Sequence, residues 1–552
     1  METAPTSLAP PLPFTRAERL LVIGLFAVTF GLTLVTTNDY GPTYDEPHYA
    51  SAGIRYAEWW ARVFRGDLGA LRRPEIESAW RFNHEHPPLQ KVASGFAQRW
   101  FGGALPGLMA MRLPSALWFA LAVCAIYLFT RGVWGRRGAL FGALAFATMP
   151  RIAAHAHFDA LDMPIAAWFF TTTAVTAWAM SRRSWPLTVL AGVAFGLALT
   201  AKVNAFFLPV LLVPWALLYH RRHWAKLVAV LLVGPAVFWL CWPWMWIDTV
   251  PHVKAYLAFH FAHAAYNVWY LGRLYQYAPW HYPFVITAVT TPAVILALAA
   301  VGAVGATRRV AQGESPTRPY ASAAESALLL LGLIVTLVPN ALPSSPKYNG
   351  ERLFLPAFPF LAALAGGGFA WAEGIVVRAL AREQAKARLS VLVASALGAL
   401  LLYPGANAVV RTHPYQLAYY NALVGGTAGA TRRGFETIYW GQVFKEAPLF
   451  LNRSMTVSPR VLVIPKGVIY LLDFQREAGI LRADIELTGD ETEAGRVDYV
   501  VFQAMQSDYT ELCWRLVREA EPAWAVRSED GTALLVVYDR RALRRALSDL
   551  RR

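Results

Sequence analysis

The chain carries a polar stretch, Asn38-Asp-Tyr-Gly-Pro-Thr-Tyr-Asp-Glu-Pro-His-Tyr49, directly after its first long apolar segment. A second polar run, Asn83-His-Glu-His-Pro-Pro-Leu-Gln-Lys91, comes before the next apolar segment. The first run holds the acidic pair Asp45 and Glu46, and the second is rich in histidine, so both contain groups that exchange protons. This alternation of long apolar segments with polar stretches decides the fold class, and residues 38–91 are where we expect chemistry.

The composition indicates an integral membrane protein. Of 552 residues, 56% are hydrophobic and only 16% are charged, and the mean hydropathy is +0.35; soluble domains carry about 25% charged residues. The net charge of +15 is compatible with nucleic-acid binding, but it is also typical of a polytopic protein whose cytoplasmic loops collect Lys and Arg. The positions of the charges favour the membrane, and no nucleic-acid partner is expected. Two of the three cysteines lie in apolar segments, so no disulfide framework is indicated.

A helix of about 20 apolar residues crosses a bilayer, and the sequence predicts about eleven such spans. We take the first as a retained span, since no cleavage site clearly follows it. The predicted spans are approximately 19–37, 109–131, 138–151, 163–180, 186–201, 204–219, 225–247, 283–306, 325–342, 352–373 and 389–410.

The basic residues between these spans predict the orientation, because cytoplasmic loops are enriched in Lys and Arg. With eleven spans, the basic clusters fall on one side, which puts the N-terminus in the cytoplasm and residues 411–552 outside the inner (plasma) membrane. The clusters are Arg16 and Arg19; Arg131, Arg136 and Arg137; Arg182 and Arg183; Arg221, Arg222 and Lys226; Arg308, Arg309 and Arg318; and Arg378, Arg382, Lys386 and Arg388.

Two domains are expected. Residues 1–410 form the membrane domain, whose first outer loop contains two amphipathic patterns typical of helices lying in the membrane interface. Residues 411–552 form an extracytoplasmic α/β domain, because β-rich runs at 461–464, 499–502 and 533–538 alternate with a helical pattern at 510–520. In this region the stretches 413–421, 425–426 and 434–441 are rich in aromatic and turn residues. They suit either a sugar-binding platform or packing where this domain meets the membrane, and packing is the favoured interpretation.

Ionisable groups near span ends are candidate functional groups, because burying a charge in a membrane is costly. Four clusters of such residues and the single residue Lys202 fall at the predicted outer ends, where separate loops can converge on one cavity. Carboxylates suit a general base, and Lys, Arg and His suit a phosphate, so together they suggest a reaction on a lipid phosphate. The groups are Asp45, Glu46 and His48; His84, Glu85, His86 and Lys91; Arg151, His155, His157, Asp159 and Asp162; Lys347, Tyr348, Glu351 and Arg352; and Lys202.

In their order along the chain, five motifs resemble the polytopic glycosyltransferases of the protein O-mannosyltransferase and aminoarabinose-transferase group (glycosyltransferase family 39-like). The resemblance covers most of residues 19–410 and implies the GT-C architecture. The motifs are Tyr44-Asp-Glu-Pro-His-Tyr49, His86-Pro-Pro-Leu-Gln-Lys91, Leu161-Asp-Met-Pro164, Thr200-Ala-Lys202 and Glu351-Arg-Leu-Phe-Leu-Pro356.

The resemblance implies transfer of a sugar from a polyprenyl-phosphate donor to an acceptor hydroxyl at the outer leaflet, with inversion at the anomeric carbon. Asp45 matches the catalytic aspartate that takes the acceptor proton, and Asp162 matches a second acid that orients the acceptor or a metal. Lys202 and Arg352 match positions that hold the donor phosphate. Completing the candidate site, Glu46 is grouped with the catalytic acids, and His86, Lys91 and Tyr348 are expected to bind substrate.

The sugar and the acceptor, whether protein, lipid or glycan, do not transfer with the resemblance. His86 stands where aminoarabinose transferases have Lys, although the mannosyltransferases share His-Pro-Pro. The C-terminal region also lacks the repeated β-trefoil pattern of many eukaryotic mannosyltransferases.

Other interpretations of these residues remain open. Asp45 suits an N-terminal cap of a helix that begins at Pro47, a role compatible with catalysis. The histidines suit either hydrogen bonding or a divalent metal ion, although their spacing fits no standard metal motif. Lys91 and Lys202 also suit positions at the membrane surface. For the whole chain, the alternatives are a transporter or flippase of a lipid-linked anion, against which the absence of internal repeats counts, and a nonenzymatic assembly or sensor protein.

Overall fold

The structure of the protein is a computed structural model that describes residues 14–261, 266–313, 323–380 and 386–548. In chain order, the helices are α1 (Arg16–Thr36), α2 (Glu46–Phe64), α3 (Arg73–Trp80), α4 (Leu89–Phe101), α5 (Met109–Ala147), α6 (Pro150–His155), α7 (Asp162–Ser181), α8 (Trp185–Ala201), α9 (Leu208–Tyr219), α10 (Trp224–Cys241), α11 (Thr249–Phe261), α12 (Tyr282–Thr290), α13 (Ala293–Gln312), α14 (Ala323–Leu337), α15 (Ala357–Leu380), α16 (Lys386–Arg411), α17 (Gly426–Arg432), α18 (Ala447–Leu451), α19 (Ile469–Glu477), α20 (Glu511–Glu519) and α21 (Arg540–Ser548).

The prediction of a polytopic helical membrane protein is confirmed. Apolar helices lie at each of the eleven predicted positions, and α8 and α9 are shorter than a full span. Seven helical segments of the described chain are long and apolar enough to cross a bilayer on their own: Arg16–Asp39, Met109–Ala147, Arg221–Cys241, Ala293–Gln312, Ala323–Ala341, Ala357–Ala379 and Val391–Arg411.

Two predicted span boundaries have local causes in the backbone. The predicted second and third spans lie on either side of Gly135, which breaks α5 with φ 77° and ψ 172°. The predicted span 283–306 is divided into α12 and α13 at Pro292, the N-cap of α13, because proline lacks the N–H that a continuous helix needs.

The membrane helices pack closely at small residues. On α13, a methyl group at Gly302 would clash with the Leu364 carbonyl oxygen of α15, and one at Gly368 of α15 would clash with Leu298 of α13. Such approaches let two backbones meet without intervening side chains, so van der Waals contact holds the helices together where lipid offers no hydrophobic driving force.

The expected helices of the first outer loop are α2, α3 and α4. The helices α2 and α4 cross where Gly53 meets Gly95, since a methyl group on Gly95 would clash with the Gly53 carbonyl oxygen. Helix α3 packs against the aromatic face of α2: its Trp80 is buried and stacks on Tyr56 of α2, with ring centroids 4.1 Å apart. This packed loop forms one wall of the candidate site.

The strands of the protein are β1 (Val268–Tyr270), β2 (Arg273–Tyr275), β3 (Arg460–Ile464), β4 (Glu486–Thr488), β5 (Tyr499–Gln503), β6 (Trp524–Arg527) and β7 (Ala533–Asp539). The last five form the sheet of the C-terminal α/β domain, with the order β4-β3-β5-β7-β6. Strand β3 pairs in parallel with β4 and β5, whereas β7 pairs antiparallel with β5 and β6. The three predicted strands correspond to β3, β5 and β7, and the predicted helix corresponds to α20.

Tyr44 links the loop before α2 to the C-terminal region of the protein. Tyr44, in the first outer loop, donates its backbone N–H to the Trp440 carbonyl oxygen at 3.1 Å, and its hydroxyl contacts Gln503 of β5. Tyr470 of α19 donates to the Tyr44 carbonyl oxygen at 2.6 Å. The first outer loop is therefore held by the C-terminal sheet domain at the residue next to Asp45.

Candidate active site

Asp45 lies at the start of α2, but it does not cap this helix. It occupies the N-cap position, and its side chain makes no capping hydrogen bond. Asp45 Oδ2 instead accepts a hydrogen bond from Trp440 Nε1 at 2.9 Å and forms an ion pair with Arg352. The carboxylate is thereby directed toward the membrane helices.

Arg352 joins two acids. It begins a short 3₁₀ turn before α15 and, besides contacting Asp45, donates from Nε to Asp162 Oδ2 at 3.0 Å. Its guanidinium carbon lies 3.8 Å from the centroid of the Trp440 ring, a cation–π contact. Asp162, the first residue of α7, also accepts from Lys202 Nζ at 2.5 Å. Acids and cations thus alternate in the order Asp45, Arg352, Asp162 and Lys202, and we call these four residues the charged row.

Lys202 can reach Asp162 because α8 ends at Ala201, directly before the lysine. Its φ of −163° and ψ of 156° are extended, so the chain leaves the helix and turns the lysine toward α7. The side chains differ in exposure: Asp45 is 29% exposed, whereas Asp162 is 1% exposed. Asp45 is therefore the acid of the row that an incoming substrate can reach.

A second, fully buried ionic group supports the row. Glu351 accepts from Arg151 Nη1 at 3.0 Å and from the Tyr439 hydroxyl at 2.9 Å. His155 bridges this group to the row, with Nε2 3.5 Å from Glu351 and Nδ1 3.9 Å from Asp162. Burial by itself raises the pKa of Glu351, but the Arg151 guanidinium and His155 more than offset it and lower the pKa to about 2. Glu351 is thus held as an anion beside Arg352.

Glu46 lies next to Asp45 in sequence but faces the other way. Its carboxylate is buried and accepts two hydrogen bonds from Arg112, from Nε and Nη2, both at 2.7 Å. It also accepts the backbone N–H groups of Thr43 at 2.8 Å and Asp159 at 2.7 Å. These bonds use both carboxylate oxygens and tie the loop before Asp45 to the start of α5.

A cleft of about 300 Å³ opens beside Asp45. The two polar runs of the first outer loop line it together. Its walls are Asp45, His48, Tyr49, Phe82, Asn83, Glu85 and His86. Tyr348, half-buried nearby, has electrostatic contact with Arg352 and Asp45, so its hydroxyl is close to the row.

Lys91 lies beneath the cleft. It is fully buried, and its ammonium donates to the carbonyl oxygens of Asn83 and His86, both at 2.7 Å, and to Asn83 Oδ1 at 3.0 Å. Burial lowers the pKa of Lys91 to about 7. Its contacts therefore fix the loop that carries His86, and its own nitrogen is withdrawn from the cleft.

Sequence reasoning did not assign Trp440 and Tyr439 to the site. Trp440 has a φ of 78°, in the left-handed region, which costs a non-glycine residue about 1–3 kcal/mol and is typical of functional positions. The only sequence signal is the aromatic pair followed by Gly441, itself at φ 83°. The stretch does pack against the membrane domain, as expected, but the packing places an indole N–H on Asp45.

The described residues do not include a group of three or more His, Cys, Asp and Glu side chains that could hold a metal ion. The acids of the row are instead neutralised by protein cations, Arg352 for Asp45 and both Arg352 and Lys202 for Asp162. The side chains of the charged row therefore do not form a set of ligands that fits a divalent metal ion.

Residues 85–247 match the model of the family described as dolichyl-phosphate-mannose-protein mannosyltransferase. The resemblance to this group of membrane glycosyltransferases is confirmed. The matched segment includes His86, Asp162 and Lys202, and three of the five motifs fall mainly within it. No curated protein matches the chain.

Three solved structures, which represent two proteins, are similar to the chain. The chain resembles ArnT from Cupriavidus metallidurans in the apo state, with 16% identity, a TM-score of 0.48 and coverage of 95% of this chain and 99% of ArnT. The same protein bound to undecaprenyl phosphate gives 16% identity, a TM-score of 0.48 and coverage of 94% and 98%. The Archaeoglobus fulgidus oligosaccharyltransferase gives 12% identity, a TM-score of 0.47 and coverage of 89% and 69%.

Proposed function

We propose that this protein is an inverting glycosyltransferase that moves a sugar from a polyprenyl phosphate to an acceptor hydroxyl at the outer face of the inner membrane. The observation that carries the proposal is the row of alternating charges beside the cleft. It offers one accessible carboxylate, Asp45, paired with Arg352, and a second cation, Lys202, which is linked to Arg352 through Asp162. A base adjacent to a phosphate site is what this transfer requires.

In the proposed reaction, the acceptor hydroxyl oxygen attacks the anomeric carbon from the face opposite the phosphate. Asp45 accepts the hydroxyl proton as the new carbon–oxygen bond forms. The bond between the anomeric carbon and the phosphate oxygen breaks, and its electron pair leaves with the polyprenyl phosphate. Arg352 and Lys202 stabilise the charge that develops on this phosphate.

Donor binding and activation of Asp45 are linked in this proposal. In the structure, Arg352 pairs with both Asp45 and Asp162. A donor phosphate competes for the same guanidinium, and this competition frees the carboxylate that must take the proton. Asp162 stays buried and holds Arg352 and Lys202 in place through the exchange.

The remaining predicted residues fall into two roles. His86 and Tyr348, beside the cleft and the row, contact substrate in our proposal. Glu46 and Lys91 act as positioning residues. The hydrogen bonds of Glu46 are with Arg112 and with backbone N–H groups, and those of Lys91 are with Asn83 and the His86 carbonyl oxygen in the loop that lines the cleft. No step of the proposed reaction passes through a metal ion.

The test is sugar transfer by the purified full chain, reconstituted in vesicles with a synthetic polyprenyl-phosphate sugar and a hydroxyl acceptor. We expect Asp45→Asn to lower the transfer rate by about 10²–10⁴, the contribution of a well-placed general base. Asp67→Asn is the matched control, since this acid of the same outer loop is exposed and pairs with Arg62. Full activity of a folded Asp45→Asn variant would remove Asp45 as the base.

A separate measurement of donor binding tests the two cations, Lys202 and Arg352. Lys202→Ala and Arg352→Ala are expected to weaken donor binding, measured by titration with the polyprenyl-phosphate sugar. Unchanged affinity in both variants would reject these residues as the phosphate site. Movement of the donor across the vesicle bilayer without any sugar transfer would instead support a flippase.

A further inference from the structure

A second cluster of charge lies at the other end of the helices that carry the active site. Helix α7 begins at Asp162, and α8 ends next to Lys202, so Ser181 and Trp185 are at their far ends. With 17 residues, α8 is about 26 Å long at 1.5 Å per residue. This is close to the thickness of the hydrocarbon core, about 30 Å.

The connections at this far end form a basic patch. It comprises Arg182 and Arg183, between α7 and α8, and Arg221, Arg222 and Lys226, between α9 and α10 and in the first turn of α10. Within the part of the chain that the structure describes, none of these five residues forms a salt bridge. An acid at this end, Glu325, accepts a hydrogen bond from Ser181 Oγ at 3.3 Å.

Lys226 is the buried member of the patch. It is only 6% exposed, and its ammonium has no hydrogen-bond partner among the residues that the structure describes. The nitrogen lies 3.9 Å from the centroid of the Trp185 ring at the start of α8. A buried ammonium without an acceptor is unfavourable, whereas an anion bound at this point would supply the acceptor.

The two connections adjoin each other. The electrostatic neighbours of His223 include Arg183 from the first connection and Arg222 and Lys226 from the second. His223 is the N-cap of α10, and its side chain makes no capping hydrogen bond. The first N–H groups of α10 are therefore not capped by the His223 side chain, and they add to the positive potential that favours an anion.

We propose that the basic patch binds the phosphate of an anionic lipid headgroup in the leaflet opposite the active site. Two exposed tryptophans, Trp185 at 55% and Trp224 at 62%, begin α8 and α10 beside the patch. Tryptophan favours the headgroup level of a bilayer, which puts the patch at the depth of lipid phosphates. Basic pockets between membrane helices bind anionic headgroups in this way.

The experiment is native mass spectrometry of the purified full chain with phosphatidylglycerol and, separately, with zwitterionic phosphatidylcholine. We expect selective, saturable retention of phosphatidylglycerol. The exposed double variant Arg183→Gln/Arg222→Gln is expected to weaken it about thirtyfold, from two lost charges near the surface. The matched control is Arg308→Gln, an exposed cation near the end of α13, and it should retain the lipid as the parent does.

A second variant, Lys226→Gln, tests the buried member and is expected to reduce retention while the exposed arginines remain. Equal retention by the double variant and the Arg308→Gln control overturns the proposal. Binding of inorganic phosphate alone, without selective retention of phosphatidylglycerol, also overturns it, because the source would then be a free anion.

Discussion

Trp440 is the residue on which the candidate site most depends, apart from the charged row itself. Its indole N–H donates to Asp45, and its ring face carries the Arg352 guanidinium. The Trp440 side chain thus orients both Asp45, the proposed base, and Arg352, which we propose binds the donor phosphate. The peptide group between Trp440 and Gly441 is held by two hydrogen bonds, from the Tyr44 N–H to the Trp440 carbonyl oxygen at 3.1 Å and from the Gly441 N–H to Gln503 Oε1 at 3.2 Å.

Replacing Trp440 with Phe removes the N–H donor and keeps an aromatic ring beside Arg352. A hydrogen bond to a charged group contributes about 1.5–3 kcal/mol, so we expect kcat to fall at least about tenfold. The affinity for donor should change less, since Arg352 remains. Steady-state kinetics measure both values, and Trp371→Phe, at an exposed position on α15, is the control. An unchanged kcat would show that the indole does not orient Asp45.

Glu436 gives the sheet domain a pH dependence. Burial raises the pKa of Glu436 to about 8, and the neighbouring Asp508 carboxylate adds to the rise, although hydrogen bonds from Ser507 oppose it. The folded state therefore keeps a proton that the unfolded state loses above its ordinary pKa of 4.5. By linkage, this group lowers the free energy of unfolding as pH rises from about 4.5 to about 8.

Glu436→Gln removes the titrating proton and keeps an oxygen for the Ser507 N–H, which the carboxylate accepts at 2.8 Å. We expect the variant to be more stable than the parent at pH 8 by a larger margin than at pH 5. Thermal unfolding of both proteins at the two pH values measures this margin. A margin that does not grow with pH would contradict the raised pKa.

At the scale of elements, the pair α2 and α4 shapes the cleft. These helices meet at Gly53 and Gly95, where no side chain separates the backbones. The cleft is lined by residues at the start of α2 and residues just before α4, so the separation of the helices determines its width.

Gly95→Ala is expected to push α2 and α4 apart. Overpacking of this kind costs about 1–3 kcal/mol, so the melting temperature should fall and transfer activity should fall with it. Gly103→Ala is the control, because a methyl group there meets no atom within 4 Å. Equal melting temperatures for the two variants would show that the contact does not limit the packing.

The sequence predicted elements well where their signal is local. Span positions follow from apolar length, and β3, β5 and β7 follow from short β-branched runs. It also predicted the convergence of Asp45, Asp162, Lys202 and Arg352 through their common side of the membrane. It did not predict the bond from Trp440 to Asp45, 395 residues away, because pairing at such separation depends on how two regions dock and leaves no periodic pattern. The edge strands β4 and β6 were missed because they are short and partly polar.

At the scale of the whole molecule, the predicted orientation puts the active site and the sheet domain on the outer side. Met455, 97% exposed in the sheet domain, provides a site for labelling. We expect Met455→Cys to react with a membrane-impermeant maleimide on intact cells. Arg308→Cys should react only after permeabilisation. The native Cys124 and Cys513 are buried and Cys241 is half-buried, so the parent protein gives the background. Reaction of Arg308→Cys on intact cells would reverse the orientation.

The bond between Asp45 and Trp440 also bears on how the protein matures. Asp45 emerges early in synthesis, with the first span, whereas Trp440 and Gln503 emerge only after the last predicted span. A nascent or truncated chain can therefore insert into the membrane and present an acidic loop without a competent centre. If the proposed function holds, transfer begins only when the C-terminal domain folds against that loop, so unfinished copies leave the cell's pool of polyprenyl-phosphate sugar untouched.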